Sequence, residues 1–142
     1  MDLPPENYDE AEAEASLAAY SNSDIPGDKR VNILAIQLEA FCDLTELGLD
    51  GFADVYADYH ELEKESYTGE LVTNVFGGGT VDTERCFLTG YTQLKDYRHS
   101  TNSYVWYLRS QGYKTEGSHS CYDWFYNRKN INAYLGFENY LF

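Results

Sequence analysis

Apolar positions change their period several times along this chain, and each change marks an element. Asn7 to Ala19 is rich in Ala and Glu and predicts a short helix with a polar surface. Ser21 to Lys29, with Asn22, Asp24, Pro26 and Gly27, reads as a linker. From Val31 to Leu38 the sequence is almost continuously apolar over the length of a strand. Such a run predicts a strand buried on both faces in a parallel sheet, and it ends at Glu39. Leu49 to Glu65 sets Phe52, Val55, Tyr56, Tyr59 and Leu62 at helical spacings. Leu71 to Phe76 predicts a second strand, which runs into Gly77-Gly78-Gly79-Thr80 and a helix to about Leu88, stopped by Gly90. Ser100 to Gln111 predicts a third helix, with Tyr104, Trp106, Tyr107 and Leu108 on its apolar side and Gly112 at its end. Tyr113 to Gly117 reads as a short strand, and an aromatic segment from Tyr122 to Phe142 closes the chain.

Strands alternating with helices point to an α/β layered fold. The three strand candidates are few for a complete doubly wound sheet, and the apolar Leu141-Phe142 has no polar exit. The expectation is therefore an acidic helical lead-in and linker over residues 1–30, followed over 31–142 by the leading part of a larger, truncated domain.

Charge narrows the partners. The 24 acids against 10 bases give a formal net charge of −14, which argues against nucleic acid, since affinity there depends on Lys and Arg neutralising phosphates. The imbalance is local: Met1 to Ala15 carries acids and no base, whereas bases outnumber acids from Lys95 to Lys129. An anionic ligand is sought in that second region. No apolar run approaches the ~18 residues of a membrane span, and no signal peptide opens the chain. Cys42, Cys86 and Cys121 form no CxxC pair, so buried thiols are expected rather than a disulfide framework or a zinc site.

Three segments carry candidate chemistry. Glu39 follows the first strand, where open α/β sheets place ligand sites, though an acid there also serves as a solvated strand end or a helix cap. Gly77-Gly78-Gly79 lets the backbone approach an anion, and a helix beginning at Thr80 points free N–H groups at it. It is not a Walker A loop, because no Gly-Lys-Ser/Thr follows, and the plain alternative is a turn with Thr80 as the N-cap. Ser118 to Arg128 sets His119, several aromatics and Arg128 just after a strand. Arg grips phosphate in a planar, bidentate manner and His donates to the same oxyanion, while aromatic rings suit a polyol or sugar face. A packed aromatic corner with His119 and Arg128 at the surface is the competing reading.

The strand ending Gln37-Leu38-Glu39-Ala40-Phe41, the loop Asn74 to Glu84 and the following Leu88-Thr89-Gly90 occur in a specific order and spacing. Gly112-Tyr113-Lys114-Thr115, His119, Tyr126-Asn127-Arg128 and Leu135-Gly136-Phe137 continue it. From Val31 to the end, the chain resembles the lipoteichoic acid synthase type of phosphoglycerol transferases, within the sulfatase and alkaline phosphatase superfamily. That resemblance implies a partial alkaline phosphatase/sulfatase-like α/β domain with a mostly parallel sheet flanked by helices. It implies that Glu39 and Thr80 are metal ligands for manganese or magnesium, and that Thr80 is also the nucleophile. His119, Tyr126 and Arg128 match positions that hold the substrate's phosphate and glycerol. The family's metal site is completed by an Asp-His pair, and its substrate site by another His, both further along than this chain runs.

The implied activity is transfer of glycerol phosphate from a phosphatidylglycerol-like lipid donor to a polyol-phosphate or glycan acceptor, through a phospho-threonine. The implied place is the extracellular face of a bacterial cell membrane, with the anchoring segments absent here and this segment soluble and inactive alone. A sulfatase or phosphatase of the same superfamily is a rival. Sulfatases need a Cys or Ser in a Cys-x-Pro-x-Arg setting, which Thr80-Val81-Asp82-Thr83-Glu84 lacks. A phosphoethanolamine transferase also uses Thr. From another class comes a non-catalytic module for wall polymer, suited by the 14 tyrosines and two tryptophans.

Overall fold

Asp9 opens the first helix, α1 (Glu10–Ala18): its carboxylate accepts the Glu12 N–H at 3.0 Å, and no residue of the helix is buried. This agrees with the polar surface expected of the Ala- and Glu-rich stretch. The computed structural model describes residues 6–20, 24–38, 40–72, 79–92, 94 and 96–142, without the side chains of residues 50, 53 and 54. The chain divides into two compact units, Met1–Ile33 and Leu34–Phe142. In the first, a single 3-10 turn at Gly27–Lys29 follows Pro26.

Among the described residues, the second unit is built from short helices and one small sheet. Asp43 caps a 3-10 turn at Leu44–Leu47, and a second such turn at Asp50–Tyr56 runs into α2 (Ala57–Lys64). The helix expected over Leu49 to Glu65 is thus α-helical only in its second half. Asp50 and Gly51 are poor α formers at the head of the segment, and the tighter turn suits them. α3 (Thr80–Thr89) starts and stops at left-handed glycines, Gly79 and Gly90, as the sequence predicts for its end. α4 (Tyr104–Ser110) begins after Ser103, whose hydroxyl accepts the Trp106 N–H at 3.0 Å.

The sheet is a parallel pair, β1 (Glu116–Ser118) and β2 (Asn139–Leu141), with Glu116 opposite Asn139 and Ser118 opposite Leu141. Parallel neighbours need a crossover, and α5 (Arg128–Tyr134) supplies it. The molecule is therefore mixed α/β with a small parallel sheet. The closing aromatic segment hides a helix and a strand that periodicity does not reveal.

One expected strand is not found. Residues 31–38 form neither helix nor strand, and Val31, Ile33, Leu34, Ile36 and Leu38 are exposed, Leu34 by 84%. An apolar run becomes a buried strand only when neighbours on both sides take its hydrogen bonds, and among the described residues β1 and β2 pair only with each other. Of the second expected strand, Leu71 and Val72 are exposed, and the rest, 73–76, lies outside the described residues. The thiols are free, but Cys42 is exposed and Cys86 and Cys121 only half-buried, against the expectation of buried cysteines.

What core there is sits between α3, α5 and the loops: Tyr97, Ile131 and the fully buried Leu135, with Leu88 and Phe137 against them. α4 is pinned to the end of α5, because the Trp106 indole donates to the Tyr134 carbonyl at 2.8 Å and the Ser103 hydroxyl to the Leu135 carbonyl at 2.5 Å. Thr115 leads into β1 and binds the segment before β2: its N–H and hydroxyl donate to Glu138 Oε2 at 2.9 and 3.3 Å.

The backbone N–H of Thr115 holds the Glu138 carboxyl below the usual glutamate range, with Arg109, the Thr115 hydroxyl and Lys114 adding to the effect and burial opposing it. A depressed folded value means that the stabilisation is full above the unfolded value, about 4.3, and is lost as pH falls through the lower folded value. Melting temperature should therefore drop across that acidic window. Glu138→Gln should melt lower than the wild type at neutral pH, with the gap closing in acid. Parallel melting curves for both proteins that keep a constant gap at every pH would rule this out.

Candidate functional site

Thr80 is the first residue of α3 and is half-buried. Gly79 just before it takes φ 77° and ψ 30°, a left-handed conformation that suits glycine and turns the chain sharply into the helix. Gly79 also occupies the N-cap position and offers no side chain, so Thr80 is not the capping residue. That removes the plain cap reading. Gly77 and Gly78 lie outside the described residues, and so does Glu39. Gln37, two positions before Glu39 in the sequence, donates its side-chain amide to the Thr80 carbonyl at 3.4 Å. The stretch expected to end in a metal ligand is thereby tied to the helix that begins with the expected nucleophile.

Arg128, the first residue of α5, is buried to 4% exposure. One guanidinium nitrogen, Nη2, donates to Glu84 Oε2 at 2.8 Å, whereas Nε and Nη1 find no partner among the described residues. Leaving two donors of a buried cation unbonded is costly, and such orphans mark places where a ligand completes the set. The expectation of a surface-exposed arginine, the competing reading, is overturned. Tyr126, by contrast, is 49% exposed, and the Arg128 guanidinium lies 5.6 Å from its ring centre.

Strain sits between these two residues. Tyr126 and Asn127 both adopt positive φ, 55° and 54°, which costs a non-glycine residue of order 1–3 kcal/mol. Surrounding bonds over-determine the segment. Arg85 Nη2 donates to the Tyr126 carbonyl at 2.7 Å, the Asn127 N–H to Trp124 O at 2.9 Å, and the Asn130 amide to Asn127 Oδ1 at 2.6 Å. Arg85 itself lies over the Tyr97 ring at 5.3 Å, and burial is the main influence that lowers its pKa. An arginine loses no charge at any physiological pH by such a shift.

His119 follows β1 directly. Its N–H donates to the Leu141 carbonyl at 2.9 Å, which fixes it to the end of β2, and its ring Nδ1 is buried without a hydrogen-bond partner among the described residues. Next to Leu141, Tyr140 packs its ring on Gly117 so closely that a Cβ there would lie 2.3 Å from a ring carbon. Burial raises the Tyr140 hydroxyl pKa, and the charge of Glu84 adds to this while Arg128 and Asn132 oppose it. Glu84, Arg128 and Tyr140 thus share one neighbourhood, assembled from α3, α5 and β2.

The structure therefore joins Thr80's helix to Tyr126 and Arg128, and it ties His119 to the strand beside them. Glu84 and Arg85 make the joins, and neither was given a role in the site from sequence. Glu84 stands four residues after Thr80, on the same helix face, which is the one signal the sequence offered. Elsewhere, His60 Nε2 meets the buried Asp43 Oδ2. Asp43 is held below its usual pKa, first by the Thr45 hydroxyl at 2.6 Å. That hydroxyl donates to the carboxylate rather than to the histidine, so the group caps a turn and assembles no nucleophile.

No family model, curated protein sequence or solved structure matches the chain. Among the described residues no three His, Cys, Asp or Glu side chains gather as a metal set. No helix among them is long and apolar enough to cross a membrane.

Proposed function

We propose that this chain is the leading part of a phosphoglycerol transferase domain of the sulfatase and alkaline phosphatase type, facing outward from a bacterial membrane. The observation that carries the reading is Arg128, a buried guanidinium with two unbonded nitrogens, held beside strained Tyr126-Asn127 and joined to the Thr80 helix. A phosphate diester matches the guanidinium in charge, and its non-bridging oxygen accepts a charge-assisted hydrogen bond from a free N–H. The exposed apolar side chains of 31–38 support the α/β reading, being suited to further strands of a larger parallel sheet.

In this reading the Thr80 hydroxyl attacks the phosphorus of a phosphatidylglycerol-like donor. The bond from phosphorus to the diacylglycerol oxygen breaks, and diacylglycerol leaves with a proton. A hydroxyl of the polyol-phosphate or glycan acceptor then attacks the phospho-threonine, the bond from phosphorus to the Thr80 oxygen breaks, and the acceptor's proton passes to that oxygen, restoring the Thr80 hydroxyl. Arg128 holds a non-bridging oxygen through both steps, and His119 and Tyr126 seat the glycerol. Glu39 and Thr80 supply hard oxygen donors, which suit manganese or magnesium, though two are fewer than such an ion requires. A bound divalent ion supplies charge neutralisation and lowers the pKa of the hydroxyl.

The longer natural protein, incubated with phosphatidylglycerol vesicles and Mn²⁺, should release diacylglycerol and carry a glycerophosphoryl adduct on the Thr80 peptide. The 142-residue chain alone should do neither, and calorimetry should find Mn²⁺ binding weaker than about micromolar. An adduct elsewhere, or tight Mn²⁺ binding by the short chain, sinks the assignment. A wall-polymer module is the second reading, favoured by Tyr122 and Trp124. Their exposed rings stack 5.6 Å apart and 10° from parallel, a flat platform for sugar. It forms no adduct.

A further inference from the structure

We infer that Glu84 and Arg85 are positioning residues, which clamp the Tyr126–Arg128 segment to the helix that begins at Thr80 and so fix the Arg128 guanidinium, with Nε and Nη1 unbonded, for a phosphate oxygen. The inference rests on the phosphoryl-transfer reading for what the segment binds. Consecutive residues of α3 grip consecutive parts of the segment: Glu84 takes the Arg128 side chain at 2.8 Å, and Arg85 takes the Tyr126 carbonyl at 2.7 Å. The left-handed residues are the gripped Tyr126 and Asn127, which stands between the two grips. A strained backbone persists only where its surroundings enforce it, and Arg85 reaches the strained carbonyl directly. The Arg85 guanidinium is itself seated over Tyr97, a member of the core, so the clamp is anchored rather than loose.

Glu84 has a second effect with the opposite sign. A carboxylate 2.8 Å from Arg128 neutralises part of the charge that attracts an anion. If neutralising were its whole role, removing it would strengthen anion binding. Positioning predicts weaker binding once the acceptor is gone, and near-normal binding where an uncharged acceptor remains. Glu84→Ala and Glu84→Gln therefore separate the two roles.

The test uses the ¹⁵N-labelled 142-residue chain titrated with sn-glycerol 3-phosphate, following the Arg128 Nε–H and the Tyr126 and Asn127 amides. Glu84→Ala should weaken binding about tenfold or more and move the Arg128 Nε–H toward an exposed-arginine position. Glu84→Gln should stay within about threefold of the wild type. Arg85→Lys keeps the charge but cannot both cover Tyr97 and reach Tyr126, so it should shift the two amides and weaken binding similarly. Glu84→Ala binding as tightly as the wild type, with Arg128 unmoved, overturns the clamp. If the wild type shows no response to glycerol phosphate, the phosphoryl-transfer reading falls. The clamp is then judged by the unliganded spectra alone, where unmoved Arg128, Tyr126 and Asn127 signals in the variants overturn it. Should Glu84→Ala fail to fold, Arg85→Lys decides by the same signals.

Discussion

Thr80→Ala is expected to remove turnover of fluorescent phosphatidylglycerol by the proposed full-length transferase almost entirely, by about 10³-fold or more in kcat, as for other covalent nucleophiles. No other group in the proposed site forms the phospho-enzyme, so the loss falls on kcat rather than on KM. The structure also sharpens what stability should do. Had Thr80 been the N-cap, alanine would cost about 1 kcal/mol. Gly79 holds that position instead, and Thr80 stands at the first helical residue, where alanine is a good helix former. The melting temperature should accordingly stay close to that of the wild type. Thr80→Ser keeps the hydroxyl and should retain part of the activity. A folded Thr80→Ala protein with near-normal turnover would end the phospho-threonine mechanism.

Helices α1, α3 and α4 were legible in the sequence because their signals are local. Gly90 as the stop of α3, Gly112 just beyond α4 and the Ala-Glu pattern of α1 each act within one turn of the residues they govern. Residues 31–38 failed for the complementary reason. Their apolar run specifies what the segment would bury, but a strand forms only if other strands arrive, and the segment carries no information about those. The aromatic end was opaque as well. Arg128 to Tyr134 shows no clean stripe, since Arg128 and Asn132 are buried along with Ile131, and a buried charged residue breaks the polar-outside rule on which periodicity rests. That same break marks the proposed site. Of the expected site residues, His119 and Arg128 were picked out by side-chain chemistry and Tyr126 by the family resemblance, whereas the Glu84 partner was not. Any of 24 acids might have paired with Arg128, and the choice is made by the way α3 packs near α5.

Arg128→Lys should lower kcat/KM of the proposed full-length transferase by about 10²-fold or more, even though the charge is kept. The guanidinium keeps separate, fixed N–H groups for Glu84 and for a phosphate oxygen, whereas the shorter lysine point charge does not serve both together. Stability follows a separate logic. Arg128→Met removes one partner of an ion pair whose side chains are only 4% and 19% exposed, leaving Glu84 largely buried and uncompensated. Such breaks cost about 3–5 kcal/mol in fully buried pairs, and somewhat less is expected here because Glu84 retains some solvent. Adding Glu84→Gln to Arg128→Met removes the stranded charge, so most of the lost stability should return. Turnover should not return with it, because the phosphate still lacks its guanidinium. Melting temperature and turnover measured on the single and double variants therefore part the two roles of Arg128. If activity recovers along with stability in the double variant, the ion pair is structural and the phosphate is held elsewhere.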